Sequence, residues 1–391
     1  MGAKLRIKPL KSANDVYVRT AAVLLESKKA FLSDTACAII GTIMAILKGV
    51  GDFFGLDIGT TGVRVVQLGL TGPGKWALRH YGYAPIDLKS ATGDSAEARQ
   101  RLGEVIMTVV GQSGIKTKNV AIGLPANKTF ITVVDMPAAS EADLKTTIKY
   151  QLDQYIPMSL DEAKVDWSFL GQSLHDPSQQ EVLLTSTATS YTEGRLELVE
   201  GLGFEVIAAE PDPIAMIRAV ALSGAKDAQV IVDIGEQAIN VAIVYGDAPR
   251  LVRTIPNGLS TLVHAAVQNL GIQEEQARQF ILKFGLAPDK LEGQVVHAIE
   301  STLDGFVSEL SKSIKFFQTR YPALKISNVL LVGYASTIPQ LDQYIANKTG
   351  IQVTVANVWQ KVSGPTNDQQ LAAMSSEFAV AVGLAQRENK V

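Results

Sequence analysis

The chain has 391 residues, of which 47% are hydrophobic and 19% charged, a length and balance that call for at least two subdomains with their own cores and exclude wholesale disorder. The formal net charge of -3 excludes nucleic-acid binding driven by a basic surface. The single cysteine, Cys37, excludes an intramolecular disulfide or a multi-cysteine metal site and fits a reducing compartment, and the scattered His80, His175, His264 and His297 have no ligand spacing for zinc.

Residues 1–30 carry many Lys and Arg and precede an apolar run from Ala36 to Leu47. At about twelve residues the run falls short of the roughly twenty that span a bilayer, and it starts too deep in the chain for a signal peptide. It reads as a surface helix, a membrane-adsorbing helix, or translated sequence ahead of a native start at Met44. The last reading is favoured, and 1–50 is set apart as an extension.

Residues 54–68 read as strand, turn, strand, with β-branched residues flanking Gly59-Thr60-Thr61-Gly62. A third strand follows near Trp76–Tyr83, then a helix over 94–114 with Leu102, Val105, Ile106 and Val109 on one face. Short strands are expected at 119–124 and 129–134. Ser140 and Asp143 resemble a capping box for a helix that runs to Tyr155 and stops before Pro157. Strands near 165–170 and 181–189 and a helix over 192–202 complete a β/α unit spanning 119–205. The pattern then restarts: an apolar strand ends in Asp233-Ile234-Gly235, turns through Glu236-Gln237-Ala238 and returns as Ile239–Val244. Two related halves follow from that echo. Helices dominate 259–317. A buried strand at 328–332 runs into Gly333-Tyr334-Ala335-Ser336, and a helix of small residues closes 376–385.

An Asp at a strand end, followed by Gly and a hydroxyl turn, aims backbone N–H groups at one spot and makes an anion nest. Gly59 admits a phosphate to the backbone, Thr60 and Thr61 add hydroxyls, and Arg64 adds charge. Asp57 would face a phosphate-bound Mg²⁺ through water, since Mg²⁺ keeps several waters. Asp233 and Gly235 would meet the same phosphates and metal from the other side. The strand-to-helix turn with Gly333 and Ser336 would receive the adenosine. One Asp-x-Gly hairpin is ordinarily just a turn. Two copies and a downstream strand-Gly-helix turn, in this order, are far more specific.

The stretch Phe54–Arg64 resembles the first phosphate motif of the actin, hexokinase and heat-shock chaperone superfamily. Within it, three stretches resemble the PilM family, actin-like relatives of the division protein FtsA: Leu124-Pro125 with Met136-Pro137-Ala138, then Tyr155-Ile156-Pro157-Met158-Ser159-Leu160-Asp161-Glu162, then Glu210–Arg218. The resemblance covers about residues 51–387 and implies duplicated α/β domains of ribonuclease H-like fold with an inserted SHS2-like subdomain. Subdomain 1A would comprise 51–118 and 206–228, 1C 119–205, 2A 229–258 and 326–391, and 2B 259–325. It further implies ATP and Mg binding, a place at the cytoplasmic face of the inner membrane, capture of the N-terminal peptide of a PilN-like protein, communication with pilus ATPases and the platform protein, and homo-oligomer formation as the superfamily allows. Relatives are adaptors with little turnover.

Several positions depart from the family pattern. Where a helix that touches the ribose usually carries Ala-Glu-x-x-Lys, this chain has Ala277-Arg278-Gln279-Phe280-Ile281; Tyr334 replaces a glycine of the adenosine turn; and Gln237 stands in the second hairpin where Ser or Thr is common. Two lost hydrogen-bonding side chains, each worth on the order of 1 kcal/mol, predict weak or degenerate ATP binding. Glu210 is the candidate for orienting a water, with a loop carboxylate as its plainer reading. A small-molecule kinase, with Asp166 or Asp212 as base, and an FtsA-like division scaffold are the alternatives. The second lacks the basic amphipathic terminal helix of that branch, since 385–391 is short and polar.

Overall fold

The computed structural model describes residues 51–138, 148, 152, 154–364, 371 and 375–387. The 1–50 extension, the Ser140/Asp143 cap and most of the helix expected to end at Tyr155 lie outside them. The first half opens with β1 (Phe53–Ile58), β2 (Gly62–Gly72) and β3 (Lys75–Pro85), followed by α1 (Leu88–Thr92), α2 (Ala96–Ser113) and β4 (Asn119–Leu124). Next come β5 (Thr129–Pro137), β6 (Ala163–Gln172), β7 (Gln179–Ala188), α3 (Thr189–Gly201), β8 (Glu205–Pro211) and α4 (Asp212–Val220). The second half has β9 (Ala228–Ile234), β10 (Ile239–Tyr245), β11 (Ala248–Ile255), α5 (Leu259–Leu270), α6 (Glu274–Phe284), α7 (Gln294–Arg320), β12 (Ile326–Gly333) and α8 (Leu341–Thr349). The chain finishes with β13 (Val353–Val355), β14 (Val362–Ser363) and α9 (Ala379–Ala385).

The halves repeat one strand order. The first sheet runs β14-β3-β2-β1-β4-β8 and the second β11-β10-β9-β12-β13. In each, a hairpin strand lies parallel to the next strand inward: β1 beside β4, β9 beside β12. Strands buried on both faces read as near-continuous apolar runs, and all six residues of β1 are buried, with Asp57 the one charged residue among them. Helices cover the sheets because their apolar residues recur at helical spacing. In α2, Ala98, Leu102, Val105, Ile106 and Val109 turn inward behind a Ser95 cap, and Gly114 ends the helix in the left-handed region at φ 78°. The second sheet is covered by α5, α6 and α7 in one continuous core that includes Leu262, Ile281, Leu303 and Leu310.

Two expected boundaries move. β4 pairs with β1 and β8, and Leu196 and Val199 of α3 join the first-half core, so 119–124 and α3 belong to the first half rather than to the inserted unit. The separate layer is the antiparallel sheet β5-β7-β6, with Ile148 and Leu152 buried against it. The C-terminal segment bridges the halves: Val362 pairs with Trp76 of β3, and α9 packs on α4 and β1 while sharing a core with Ile231, Ala242 and Val332 of the second sheet. Glycine permits that contact. A Cβ on Gly383 would sit 1.8 Å from the Ala215 carbonyl oxygen, and one on Gly55 would sit 2.4 Å from that of Ala381.

Candidate functional site

The two Asp-x-Gly hairpins are built alike to the residue. Asp57 pairs across the strand with Arg64, and Asp233 occupies the same register opposite Asn240. Both turns close with one backbone bond, Gly59 N–H to Gly62 O at 3.0 Å and Gly235 N–H to Ala238 O at 2.9 Å. The cross-strand partner serves the aspartate in each case. Arg64 Nη1 lies 3.9 Å from Asp57 Oδ2, and Asn240 Nδ2 donates to Asp233 Oδ2 at 3.1 Å. The hairpins face one crevice, close enough that the charge of Asp233 is felt at Asp57. Burial, with smaller contributions from Asp233 and Glu377, outweighs Arg64 and pushes the Asp57 carboxyl up to about 6. Burial also raises Asp233, against the Asn240 bond and the Arg64 charge.

A third carboxylate completes the cluster. Asp212 is the first residue of α4, between Pro211 at the cap and Pro213. Burial holds it well above the usual carboxylate range, and the charges of Asp57 and Asp233 add to that. Its Oδ1 is buried without a hydrogen-bond partner. A Cβ on Gly123 at the end of β4 would come 2.2 Å from that oxygen, so glycine there makes room for the carboxylate. Among site residues, Asp212 is the one that sequence reasoning left in the background. Its signal is an acidic residue in the first helical turn directly after a strand end, two positions beyond Glu210.

Both carboxylate oxygens of Glu210 are engaged. Arg218 donates to both of its oxygens, at 2.5 and 3.0 Å, and Arg387 pairs with Oε2. Arg218 also donates to Gly383 O at 2.7 Å. Glu210 therefore braces α4 against α9 and has no oxygen left over for a water in the crevice. Asp166 lies exposed on β6 in the inserted layer, where its Oδ1 accepts the Trp167 N–H.

The remaining residues divide by half. In the first turn, a Cβ on Gly59 would lie 3.0 Å from Arg64 Nη1, so the guanidinium covers the glycine. Thr60 and Thr61 are partly buried beside it. In the second turn Gln237 is exposed at the tip. The main-chain N–H groups of Leu259 and Ser260, opening α5, donate to the Gly235 and Glu236 carbonyls at 3.0 Å each. Gly333, at φ 61°, stands where a Cβ would meet Asp233 Oδ1 at 2.4 Å, and Ser336 Oγ donates to Gly333 O at 2.8 Å. These two shape the turn around Asp233. The phenol of Tyr334 lies near the Thr61 hydroxyl of the opposite half, and burial raises its pKa, partly offset by that hydroxyl. Arg278 donates to Glu236 through both terminal nitrogens, at 2.9 and 2.5 Å, so the residue that departs from the family pattern is locked onto the second turn.

Duplicated sheets, mirrored hairpins and a shared crevice define the actin-like ATPase fold. The solved structure of a PilM–PilN type IV pilus biogenesis complex matches with a TM-score of 0.73 at 20% identity, over 87% of this chain and 99% of that one. The ethanolamine utilization protein EutJ from Carboxydothermus hydrogenoformans matches with a TM-score of 0.52 at 15% identity, over 90% and 96%. The family model for type IV pilus assembly protein PilM matches residues 55–389, and the chain belongs to that family.

Proposed function

We infer that this protein is an adaptor of type IV pilus assembly that captures the N-terminal cytoplasmic peptide of a PilN-like inner-membrane protein and so sits at the inner face of that membrane. The observation that carries the reading is the match of 55–389 to the family, together with the likeness to nearly the whole of a chain solved in a PilM–PilN complex. Among the described residues no helix is long and apolar enough to cross a membrane, which fits attachment through such a partner. Pilus ATPases and the platform protein are the further partners this role calls for, and self-association belongs to the same proposal.

The crevice fits Mg²⁺ with a nucleotide. Its donors are carboxylate oxygens, the kind Mg²⁺ prefers, and Asp212 Oδ1 is a buried acceptor in want of a cation or a water. Asp57, Asp212 and Asp233 would hold the ion, directly or through its waters. The backbone N–H groups of the two turns, with Thr60 and Thr61, would receive the phosphates, and Arg64 would meet their charge. The bound ion would screen phosphate charge from the three aspartates. On the adenosine side, Arg278 is tied to Glu236 and Tyr334 fills the turn, which supports weak nucleotide affinity. The adaptor reading is tested by pulling down the full chain with a synthetic PilN-type N-terminal peptide from the same genome. Retention by that peptide and not by a scrambled one is expected, and equal retention would defeat the reading.

A further inference from the structure

We propose that the 3-10 turn Ser375–Phe378 is an internal occupant of the nucleotide crevice, in which Glu377 holds Arg64 in place of phosphate and must be displaced for Mg–nucleotide to bind. Arg64 is committed on several sides. Nη1 donates to Gly62 O at 3.1 Å, the guanidinium carbon stands 5.2 Å from the Tyr83 ring centre, and Nη2 is taken by Glu377 Oε2. That ion pair joins residues 313 positions apart in sequence. The turn is anchored on the opposite wall. Ser376 Oγ donates to Gly333 O at 3.3 Å, next to Tyr334 in the second half. The Phe378 ring packs edge-on to Tyr81 at 6.0 Å and tilted against Trp359 at 6.0 Å.

The turn therefore crosses from the second half to the first, and its carboxylate ends on Arg64, whose other terminal nitrogen covers Gly59 in the turn that a phosphate would approach. Two anions compete for one guanidinium there. Glu377 already adds to the negative field at Asp57, so phosphate and Glu377 cannot share Arg64 without further cost. The Glu377 side chain keeps 26% exposure, enough to swing outward. This rests on the reading that the crevice takes Mg–nucleotide, and it adds that affinity is held down by a strap belonging to the chain itself.

The test is calorimetry of Mg–ATP and Mg–ADP with the full chain, Glu377→Gln and Asp57→Ala, together with amide hydrogen exchange of the unaltered protein. A charge-assisted hydrogen bond of this kind predicts binding about tenfold to a hundredfold tighter in Glu377→Gln. The unaltered protein should lose amide protection over Ser375–Phe378 when Mg–nucleotide is added. If Glu377→Gln binds no tighter while Asp57→Ala abolishes binding, the strap is overturned and the nucleotide reading stands. If neither the unaltered protein nor Glu377→Gln binds at millimolar nucleotide, both fall. Should Glu377→Gln fold poorly, the exchange experiment decides alone, and unchanged protection on saturation overturns the proposal.

Discussion

Asp57 is 6% exposed, faces two further carboxylates and has in Arg64 a partner shared with Glu377. Its folded-state proton affinity is raised, so the linkage sign is the reverse of the usual surface carboxylate. Between the ordinary value of 3.8 and about 6 the folded protein holds a proton that the unfolded chain has released. Stability therefore falls as pH rises through that window and stays lower above it. The shift corresponds to on the order of 3 kcal/mol. Asp57→Asn removes the buried charge and leaves Arg64 paired with Glu377. Urea unfolding should show the variant gaining on the unaltered protein from pH 4 to 6, by up to about 3 kcal/mol, with a constant lead above that; a difference flat with pH would refute the assignment. Addition of Mg²⁺ should raise the melting temperature of the unaltered protein and leave Asp57→Asn unmoved, because the proposed cation site has lost one of its three carboxyl groups.

At the level of elements, the two hairpins were legible because their information is local: Asp, Gly and flanking β-branched residues stand within a dozen positions of one another. The close packing of α9 is equally sequence-encoded, in small residues, but its address is not. Gly383→Ala would drive a Cβ into the Ala215 carbonyl of α4 and should cost about 1–3 kcal/mol in chemical unfolding. The same change at Gly305, inside α7 with nothing within 4 Å, should stabilise by roughly 0.5–1 kcal/mol. Opposite signs for one substitution at two helical glycines would separate backbone approach from helix propensity. What the sequence concealed has a common cause. Glu377 and Arg387 act on residues far away in the chain, and no spacing announces such a pairing. Sequence leaves Glu210 open between a loop carboxylate and a water-orienting group, because its partners, Arg218 and Arg387, are supplied by α4 and the segment after α9. Adjacency in sequence groups β4 and α3 with the inserted layer, while their hydrogen bonds and apolar faces commit them to the first half.

Across the whole molecule, the inserted layer is bound to the second half as well as to the first. Ile131, Val133, Leu170 and Leu183 pack with Ile214 of α4 and Ala248 of β11. Around this apolar contact lies a charged ring. Glu181 on β7 is fully buried and pairs with Arg250 of β11, and Asp135 on β5 accepts from Arg320 of α7 at 2.8 Å. His175 Nε2 lies 3.3 Å from the same Asp135 oxygen. The inserted layer is therefore tied by side chains to the half that carries Asp233. The connection is breakable at a named point, because an unpaired buried charge costs far more than the pair contributes. Arg250→Ala leaves buried Glu181 without its guanidinium, with, among the described residues, only the His175 ring 3.8 Å from its other oxygen as a charge-bearing neighbour in ion-pair range, and should destabilise the protein by about 3–5 kcal/mol. The double change Arg250→Met with Glu181→Leu replaces the pair by apolar volume and should recover most of that loss in the same unfolding measurement. If Arg250→Ala costs less than about 1 kcal/mol, the range of an exposed pair, the junction is a surface contact and the inserted layer moves independently of the crevice.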